Sequence, residues 1–468
     1  AREIALDKPI IVIKPGRSFE AQQAAASHTG SLTGKDEVFD AALERVGVLR
    51  VGSIGELFNM AYVLGRQPKP RGPNLAIVTN AGGPSVLATD EAVLQGAKIA
   101  VLEKETIEKL NSFLPSSWSH TNPVDILGDA DAERYTKTVD VLTNDPHVDG
   151  LLVILSPQDM TDPNETAEGL SAFTNIPGKP ILASWMGGSF VLKGTEILRS
   201  YNIPCFSYPD DAALAFATMW KYRENLFNLY QTPRHENTFE ESLNAFRATK
   251  KASSIIEIAQ KQNRTILSEE ESKKLFSLYG IPVVETYHAK SVDEVEAIAA
   301  RLKFPIVLKV FSHKISHKSD IGGVKLNIKN VEEAKKAYSE IEKAVEVHFG
   351  KGVFEGVTVQ RMIKSEGIEL IVGSSIDPQF GPVILFGSGG TFVEVFKDYA
   401  LGFPPLTKAL AKRIMEKTNI AKTFKGFRSI KPIDVDALCT ILVQFSLMIT
   451  ENPRIKESDI NPLIASHE

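Results

Sequence analysis

Leu75-Ala76-Ile77-Val78 leads into Thr79-Asn80-Ala81-Gly82-Gly83-Pro84, and a helical pattern follows from Ser85 to Leu94. An apolar run of strand length, a glycine turn and a helix form the repeating unit of a parallel sheet buried on both faces. The unit recurs on either side. Ile10–Ile13 is followed by Pro15-Gly16, Lys98–Leu102 is a short strand, Gly150–Leu155 is an unbroken apolar run, and Pro180–Trp185 is another, followed by Gly187-Gly188. Strand and helix patterns alternate over roughly the first 220 residues, which predicts two α/β units flanking the Pro/Gly/Arg-rich stretch Arg66–Pro73.

From Gln231 to Lys251 the chain turns polar, and the major boundary is expected there. Ser268 followed by Glu271 three residues on has the form of a capping box, opening a helix that runs to Tyr279 and stops at Gly280. Strands are then expected at Pro282–Tyr287, Pro305–Val310, Gly323–Ile328, Val357–Met362, Ile368–Ser374 and Pro382–Phe386, with helices at Val331–Ala344 and Asp434–Leu447. This is an α+β region. The expected domains are 1–68, 72–225 and 253–468, with 226–252 as a linker.

Charge and cysteine usage narrow the function. The 53 Lys and Arg against 58 Asp and Glu leave a net charge of −5, which argues against a broad nucleic-acid surface. No apolar run reaches the length of a membrane span. The two cysteines, Cys205 and Cys439, make neither a disulfide framework nor a zinc pair, and point to a reducing, cytoplasmic compartment. No signal peptide opens the chain. It begins at Ala1, close to a strand-like run, and stops soon after Asn461-Pro462, so both ends are expected to continue in a longer protein.

Four segments carry candidate chemistry. Ser27-His28-Thr29-Gly30-Ser31-Leu32-Thr33-Gly34 opens the helix pattern Asp36–Val46. A neutral imidazole at a helix start is a nucleophile beside unpaired N–H groups that favour an anion, so His28 is a candidate phosphoryl carrier, with Ser27, Thr29, Gly30 and Ser31 as phosphate donors. The alternative is a surface loop capping a helix. Gly82 and Gly83 form a second such helix start, or else an ordinary strand–helix turn. Lys309 ends a strand, where an ammonium reaches nucleotide phosphates, and a loop with His313 and His317 follows it up to Gly322-Gly323. The alternative there is a solvated loop. Gly387-Ser388-Gly389-Gly390 permits close backbone approach to a phosphate, with Glu394 and Asp398 downstream as oxygen donors for Mg2+, and Asn461 able to add an amide oxygen. Glu366 and Glu369 flank a candidate nucleotide-binding strand. His120 reads as a site wall or a turn cap. There is no P-loop pattern GxxxxGK[ST] and no GxSxG elbow.

In this order, these segments resemble the ADP-forming acyl-CoA synthetase family, related to succinyl-CoA synthetase. Lys14-Pro15-Gly16-Arg17 through Ser31 is similar to its phosphohistidine segment, and Thr79–Pro84 to its second phosphate-facing helix start. Asn122-Pro123-Val124-Asp125 is similar to the turn that follows. Lys309, His317–Gly323, Asp377–Pro382, Gly387–Gly390 and Asp459–Pro462 resemble an ATP-grasp domain.

The resemblance implies two flavodoxin-like, succinyl-CoA-synthetase-like parallel-sheet domains followed by an α+β ATP-grasp domain. It implies a cycle in which phosphate attacks an acyl-CoA, most readily acetyl-CoA, to give acyl phosphate and CoA. His28 takes the phosphoryl group and releases the carboxylate, His317 relays it, and ADP accepts it with Mg2+. Lys309, Glu366, Glu369, Gly387, Gly389 and Gly390 would hold ATP or ADP, and Glu394 and Asn461 the metal.

CoA would be bound mainly by a Rossmann-type domain expected before Ala1, together with a glutamate that orients the phosphohistidine. A metal-binding aspartate is expected beyond the Asn461 strand, and Ser429 stands where the family has Gly. This chain is therefore expected to be a fragment or subunit of an oligomer, incomplete as a catalyst by itself. The alternatives are the synthetase-like regulatory region of a protein lysine acetyltransferase, where the position of His28 is generally not histidine, and an ATP-binding scaffold subunit.

Overall fold

Alternation along the apolar runs builds the first of two units, Ala1–Gln231; the second is Thr232–Glu468. The structure is a computed structural model that describes residues 1–18, 20–21, 35–229, 239–312, 315, 318, 321–363, 367–390, 397–426 and 431–467; the side chains of 228 and 239–245 lie outside that description.

In the first unit, β1 (Ile11–Ile13) and β2 (Leu49–Val51) pair in parallel, with Ile11 opposite Leu49. A larger, wholly parallel sheet takes β3 (Asn74–Thr79), β4 (Lys98–Ile99), β6 (Gly150–Leu155), β7 (Ile181–Trp185) and β8 (Cys205–Phe206) in the order β4-β3-β6-β7-β8. The short β5 (Val124–Asp125) also pairs with β3. Successive side chains point to opposite faces, and both faces are covered. Ala76, Val78, Leu151, Val153, Ile181 and Ala183 enter one apolar cluster, and Leu75, Ile77, Leu152, Ile154 and Leu182 enter another. The second cluster also takes Phe216, Met219 and Tyr222 of the helix Pro209–Leu229, and Leu49, Val51, Met60 and Val63 from the first segment. Gly150 lets that helix approach the sheet, since a Cβ there would collide with the Phe216 ring.

β4 pairs with the start of β3 and β5 with its end. Asn122 fills the gap between them. Its Nδ2 donates to the carbonyls of Leu75 at 2.9 Å and Ala100 at 3.0 Å, and its Oδ1 accepts from the Ile77 N–H at 2.9 Å. One side-chain amide thus satisfies backbone groups that a continuous strand would have paired.

The second unit has two antiparallel sheets. β9 (Thr286–Ala289), β10 (Ile306–Val310), β11 (Val324–Ile328) and β12 (Val357–Arg361) lie in the order β11-β10-β12-β9. β13 (Ile368–Asp377), β14 (Gly381–Ser388), β15 (Tyr399–Gly402) and β16 (Glu457–Ala465) lie in the order β15-β14-β13-β16. Val295 and Ala299 of the helix Val292–Arg301, with Ala334, Tyr338, Ile341 and Val345 of the helix Val331–Phe349, cover the first sheet. The helices Glu269–Leu278, Lys408–Glu416 and Val435–Glu451 bury their apolar faces against the second.

Two sequence expectations differ from what is seen. The run Pro282-Val283-Val284 is not a strand: after the turn at Gly280, φ +76°, Val283 packs with the second sheet's cluster, and pairing with β12 begins at Thr286. The stretch 226–252, expected as a linker, contains the end of one helix and the start of the helix Phe239–Lys261, which buries Ala252 and Ile256.

Candidate functional site

The order β4-β3-β6 reverses the direction in which strands are added, and α/β sheets leave a ligand crevice at the carboxyl ends of the strands around such a switch point. Here Asn80, 3 % exposed, holds that edge together. Its Nδ2 donates to the Ser156 carbonyl at 2.8 Å and its Oδ1 accepts from the Ser156 N–H at 2.9 Å, tying the loop after β3 to the loop after β6. The helix Gly82–Leu94 starts immediately beyond. Its N-cap is Ala81, which brings no side-chain acceptor, so first-turn N–H groups are left for another partner. A Cβ on Gly82 would stand 3.3 Å from Asp125 Oδ2, while one on Gly83 would meet nothing within 4 Å. Gly82 and Gly83 thus form an open helix start at the switch point, with the Asp125 carboxylate beside Gly82.

His28, with Ser27, Thr29, Gly30 and Ser31, lies outside the described residues. The chain on either side of that segment is tied down. Arg50, its side chain 5 % exposed, donates to both oxygens of Asp36 at 2.7 and 3.1 Å, to Asp40 at 2.6 Å and to the Lys14 carbonyl at 3.2 Å. Lys14 Nζ adds a 3.3 Å pair to Asp36. Burial opposes charge on Asp36, but Arg50 and Lys14 override it and hold its carboxyl below the usual range. Lys14 and Asp36, on opposite sides of the His28 segment, are therefore clamped by one guanidinium.

In the second unit Lys309, on β10, does not stand alone. Its Nζ lies 3.1 Å from Glu269 Oε1, Lys318 Nζ lies 2.8 Å from Glu269 Oε2, and Lys273 Nζ lies 3.1 Å from Glu269 Oε1. Lys273 is also held at 2.7 Å by Thr286 Oγ1 and at 2.7 Å by Gln360 Oε1, on two strands of the first sheet. Burial would raise the Glu269 pKa, but Lys309, Lys318 and Lys273 bring it down to about 2. Two residues on, Glu271 completes the expected capping box with Ser268 and receives a bidentate pair from Arg264 at 2.7 and 2.9 Å; the Arg264 hydrogen bond, working against burial, lowers it to about 2.

A carboxylate whose folded pKa lies below its unfolded value of 4.5 stabilises the fold above about pH 4.5, and the contribution is lost as pH falls to about 2. Glu271→Gln keeps the reach of the capping box but removes the charge. It is expected to cost ~1–2 kcal/mol near neutral pH, an amount reduced for its partial exposure to solvent. Urea midpoints of parent and variant should converge as pH is lowered through that window.

The expected glycine turn meets Asn461 and Glu369. The Gly390 N–H donates to Asn461 Oδ1 at 2.9 Å, and the Gly389 N–H donates to the Glu369 carbonyl at 2.8 Å. A Cβ on Gly390, φ +87°, would lie 2.7 Å from Glu369 Oε2. Gly387 has a packing reason of its own, since a Cβ there would press on Tyr399 of β15 at 2.7 Å. The fold therefore gathers Glu369, Gly389, Gly390 and Asn461 at one end of β13 and β14. The Asn461 amide oxygen keeps a second lone pair and borders the same glycine as the Glu369 carboxylate, an oxygen-donor set suited to a hard cation.

Other expected residues divide differently. His317, Glu366 and Glu394 lie outside the described residues, as do His313 and Ser429. Asp398 is a cap: its oxygens accept from the N–H groups of Asn419 at 2.7 Å and Ile420 at 2.8 Å. His120 is a turn residue, φ 52°, with both ring nitrogens at 3.0 Å from Asn111 Oδ1 and the Ser116 carbonyl. Among the described residues no three His, Cys, Asp or Glu side chains are grouped to hold a metal, and no helix is long and apolar enough to cross a membrane. Reading the sequence alone did not single out Glu269 or Lys273, and it took in Asn80 and Lys318 only as members of the segments Thr79–Pro84 and His317–Gly323. Glu269 stood in plain view within the capping box, but nothing local marks it as the partner of a lysine 40 residues away.

The family profile of the succinyl-CoA ligase like flavodoxin domain matches residues 1–64, that of the ligase-CoA domain residues 75–225, and that of the ATP-grasp domain residues 258–468. The fold class is thus two succinyl-CoA-ligase-type domains and an ATP-grasp domain in one chain. An acetate–CoA ligase (ADP-forming) I of Archaeoglobus fulgidus is 38% identical over 463 residues, 99% of this chain and 65% of the relative. The acetate–CoA ligase (ADP-forming) I subunit beta of Pyrococcus furiosus is 41% identical over 215 residues, 46% of this chain and 92% of that subunit. The chain belongs to the ADP-forming acyl-CoA synthetase family. A 4-hydroxybutyrate–CoA ligase (ADP-forming) of Nitrosopumilus maritimus is 35% identical over 98% of this chain and 64% of its own length. The chain thus spans slightly less than two thirds of these two longer relatives.

Proposed function

We propose that this chain carries the phosphoryl-transfer steps of an ADP-forming acyl-CoA synthetase, a cytoplasmic acid–thiol ligase whose first candidate substrate is acetyl-CoA. The carrying observation is identity to ADP-forming ligases along 99% of the chain, with Ser27-His28-Thr29-Gly30-Ser31 standing between the clamped Lys14 and Asp36. Phosphate displaces CoA from the thioester to give an acyl phosphate. The His28 imidazole attacks its phosphorus, the P–O bond to the acyl group breaks, and the carboxylate leaves. His317 takes the phosphoryl group in turn and passes it to the terminal oxygen of ADP, giving ATP. Ser27, Thr29, Gly30 and Ser31 and the open helix start at Gly82 and Gly83 favour the charge on the phosphorylated ring. Lys309, Glu366, Glu369, Gly387, Gly389 and Gly390 bind the nucleotide. Mg2+, when bound, would neutralise phosphate charge there, held by Glu394 and Asn461.

Incubation with ATP labelled at the terminal phosphate, in the presence of Mg2+, tests the transfer steps without CoA. The expected product is a protein-bound label that is acid-labile and base-stable. A label that is acid-stable, or none at all from either ATP or acetyl phosphate, would overturn the reading.

A further inference from the structure

Glu269 sits where an anion would be expected. It lies in the first turn of the helix Glu269–Leu278, where the helix end favours negative charge, with three ammonium groups within 3.1 Å and a side chain 18% exposed. The three lysines are not equivalent. Lys273 makes two further 2.7 Å hydrogen bonds, to Thr286 and Gln360, and is fixed to the sheet. Lys309 and Lys318, among the described residues, are each hydrogen-bonded by their ammonium group to Glu269, and are 28% and 25% exposed. Among the described residues, one carboxylate against three ammonium groups leaves a local excess of two positive charges. Of the three, Lys309 and Lys318 are the more exposed.

Resting on the nucleotide reading of Lys309, we propose that Glu269 is an internal counter-anion that occupies the polyphosphate position between Lys309 and Lys318 and competes with the phosphates of the nucleotide for those lysines. Such a group keeps the lysines gathered when the site is empty and makes the phosphate–lysine contact reversible, because each incoming phosphate must displace or share a partner already present. The carboxylate charge also repels a polyphosphate at close range in a partly desolvated place, where screening is weak. Glu269 thereby sets affinity and release as a positioning residue. Lys318 becomes the second polyphosphate ligand.

The test is calorimetric titration of the whole chain, with Mg2+ present, by ATP and separately by inorganic triphosphate. Glu269→Gln keeps a hydrogen-bond acceptor for the lysines but removes the charge, and is expected to tighten both ligands about tenfold. Glu269→Asp, which keeps the charge, is expected to stay near the parent value. Lys318→Gln is expected to weaken both about tenfold, and this part-exposed position decides the matter if Glu269→Gln does not fold. In the ATP-to-His28 direction, Glu269→Gln should lower KM and kcat together, because release slows. Unchanged or weaker binding in a folded Glu269→Gln chain, or unchanged binding in Lys318→Gln, would overturn the proposal while leaving the nucleotide reading intact. A parent chain that binds triphosphate but not ATP would overturn the nucleotide reading and leave the anion site; binding of neither would overturn both.

Discussion

His28→Ala is expected to abolish protein-bound phosphoryl label from acetyl phosphate, a loss of at least ~1,000-fold in label formed per unit time, and to confine label from ATP to His317. The size follows from the role: a covalent carrier has no partial substitute unless another nucleophile occupies its place. The other histidines described in the first unit are poor replacements. His120 has both ring nitrogens tied to Asn111 and Ser116, and His147 lies beside the Val101 carbonyl, 3.8 Å from Glu103. The fold should be untouched, because the Lys14–Asp36–Arg50 clamp does not involve residue 28. Circular dichroism should match the parent, and the affinity for ADP should stay within twofold, since Lys309 and Glu369 belong to the other unit. Label from acetyl phosphate that survives the change at the parent rate removes His28 from the reaction.

Gly389→Ala is expected to weaken ADP binding at least ~100-fold, about 2.7 kcal/mol. The Cβ would stand 2.5 Å from the carbonyl carbon and oxygen of Leu370 and 2.8 Å from its nitrogen. These are backbone atoms of β13, which is hydrogen-bonded to β14 on one side and β16 on the other, so no flexible side chain can yield. The connection after β14 must shift instead. That shift breaks the hydrogen bond from the Gly389 N–H to the Glu369 carbonyl and moves Gly390 off the Asn461 amide. Overpacking of this kind costs ~1–3 kcal/mol of stability in addition. Titration with ADP, paired with a urea midpoint, checks both parts. An affinity within threefold of the parent would show that this connection does not shape the nucleotide site.

Much of the architecture could be read directly, for local reasons. Gly150–Leu155 is apolar at every position because both faces of β6 are covered, and a run of that length bounded by turns has few other uses. Ser268 and Glu271 announced a helix start because a capping box is complete within four residues. Strand β15 gave no such signal, and β16 showed only its apolar end after Asn461. β16, Glu457–Ala465, is part-exposed along its length and pairs with β13 from almost 100 residues away, and its charged residues obscure any alternation. Asn122 was legible only as the start of the turn Asn122-Pro123-Val124-Asp125. That its amide would stitch β3, β4 and β5 depends on three strands arriving together.

The candidate site divides along the same line. The amino-acid order alone determined which chemistries are available: a histidine among small polar residues, glycines where a strand becomes a helix, a lysine at a strand end, and the succession of segments that places the chain in its family. These depend on residue type and short spacing, which the linear chain states outright. Only the tertiary structure decided which groups meet. Glu269 lies 40 residues before Lys309 and 49 before Lys318, Asn461 lies 71 after Gly390, and Asp398 is drawn into capping a turn at Asn419. Charge attraction and hydrogen bonding act through space at a few ångströms, and what brings residues that close is the packing of helices and strands from distant parts of the chain.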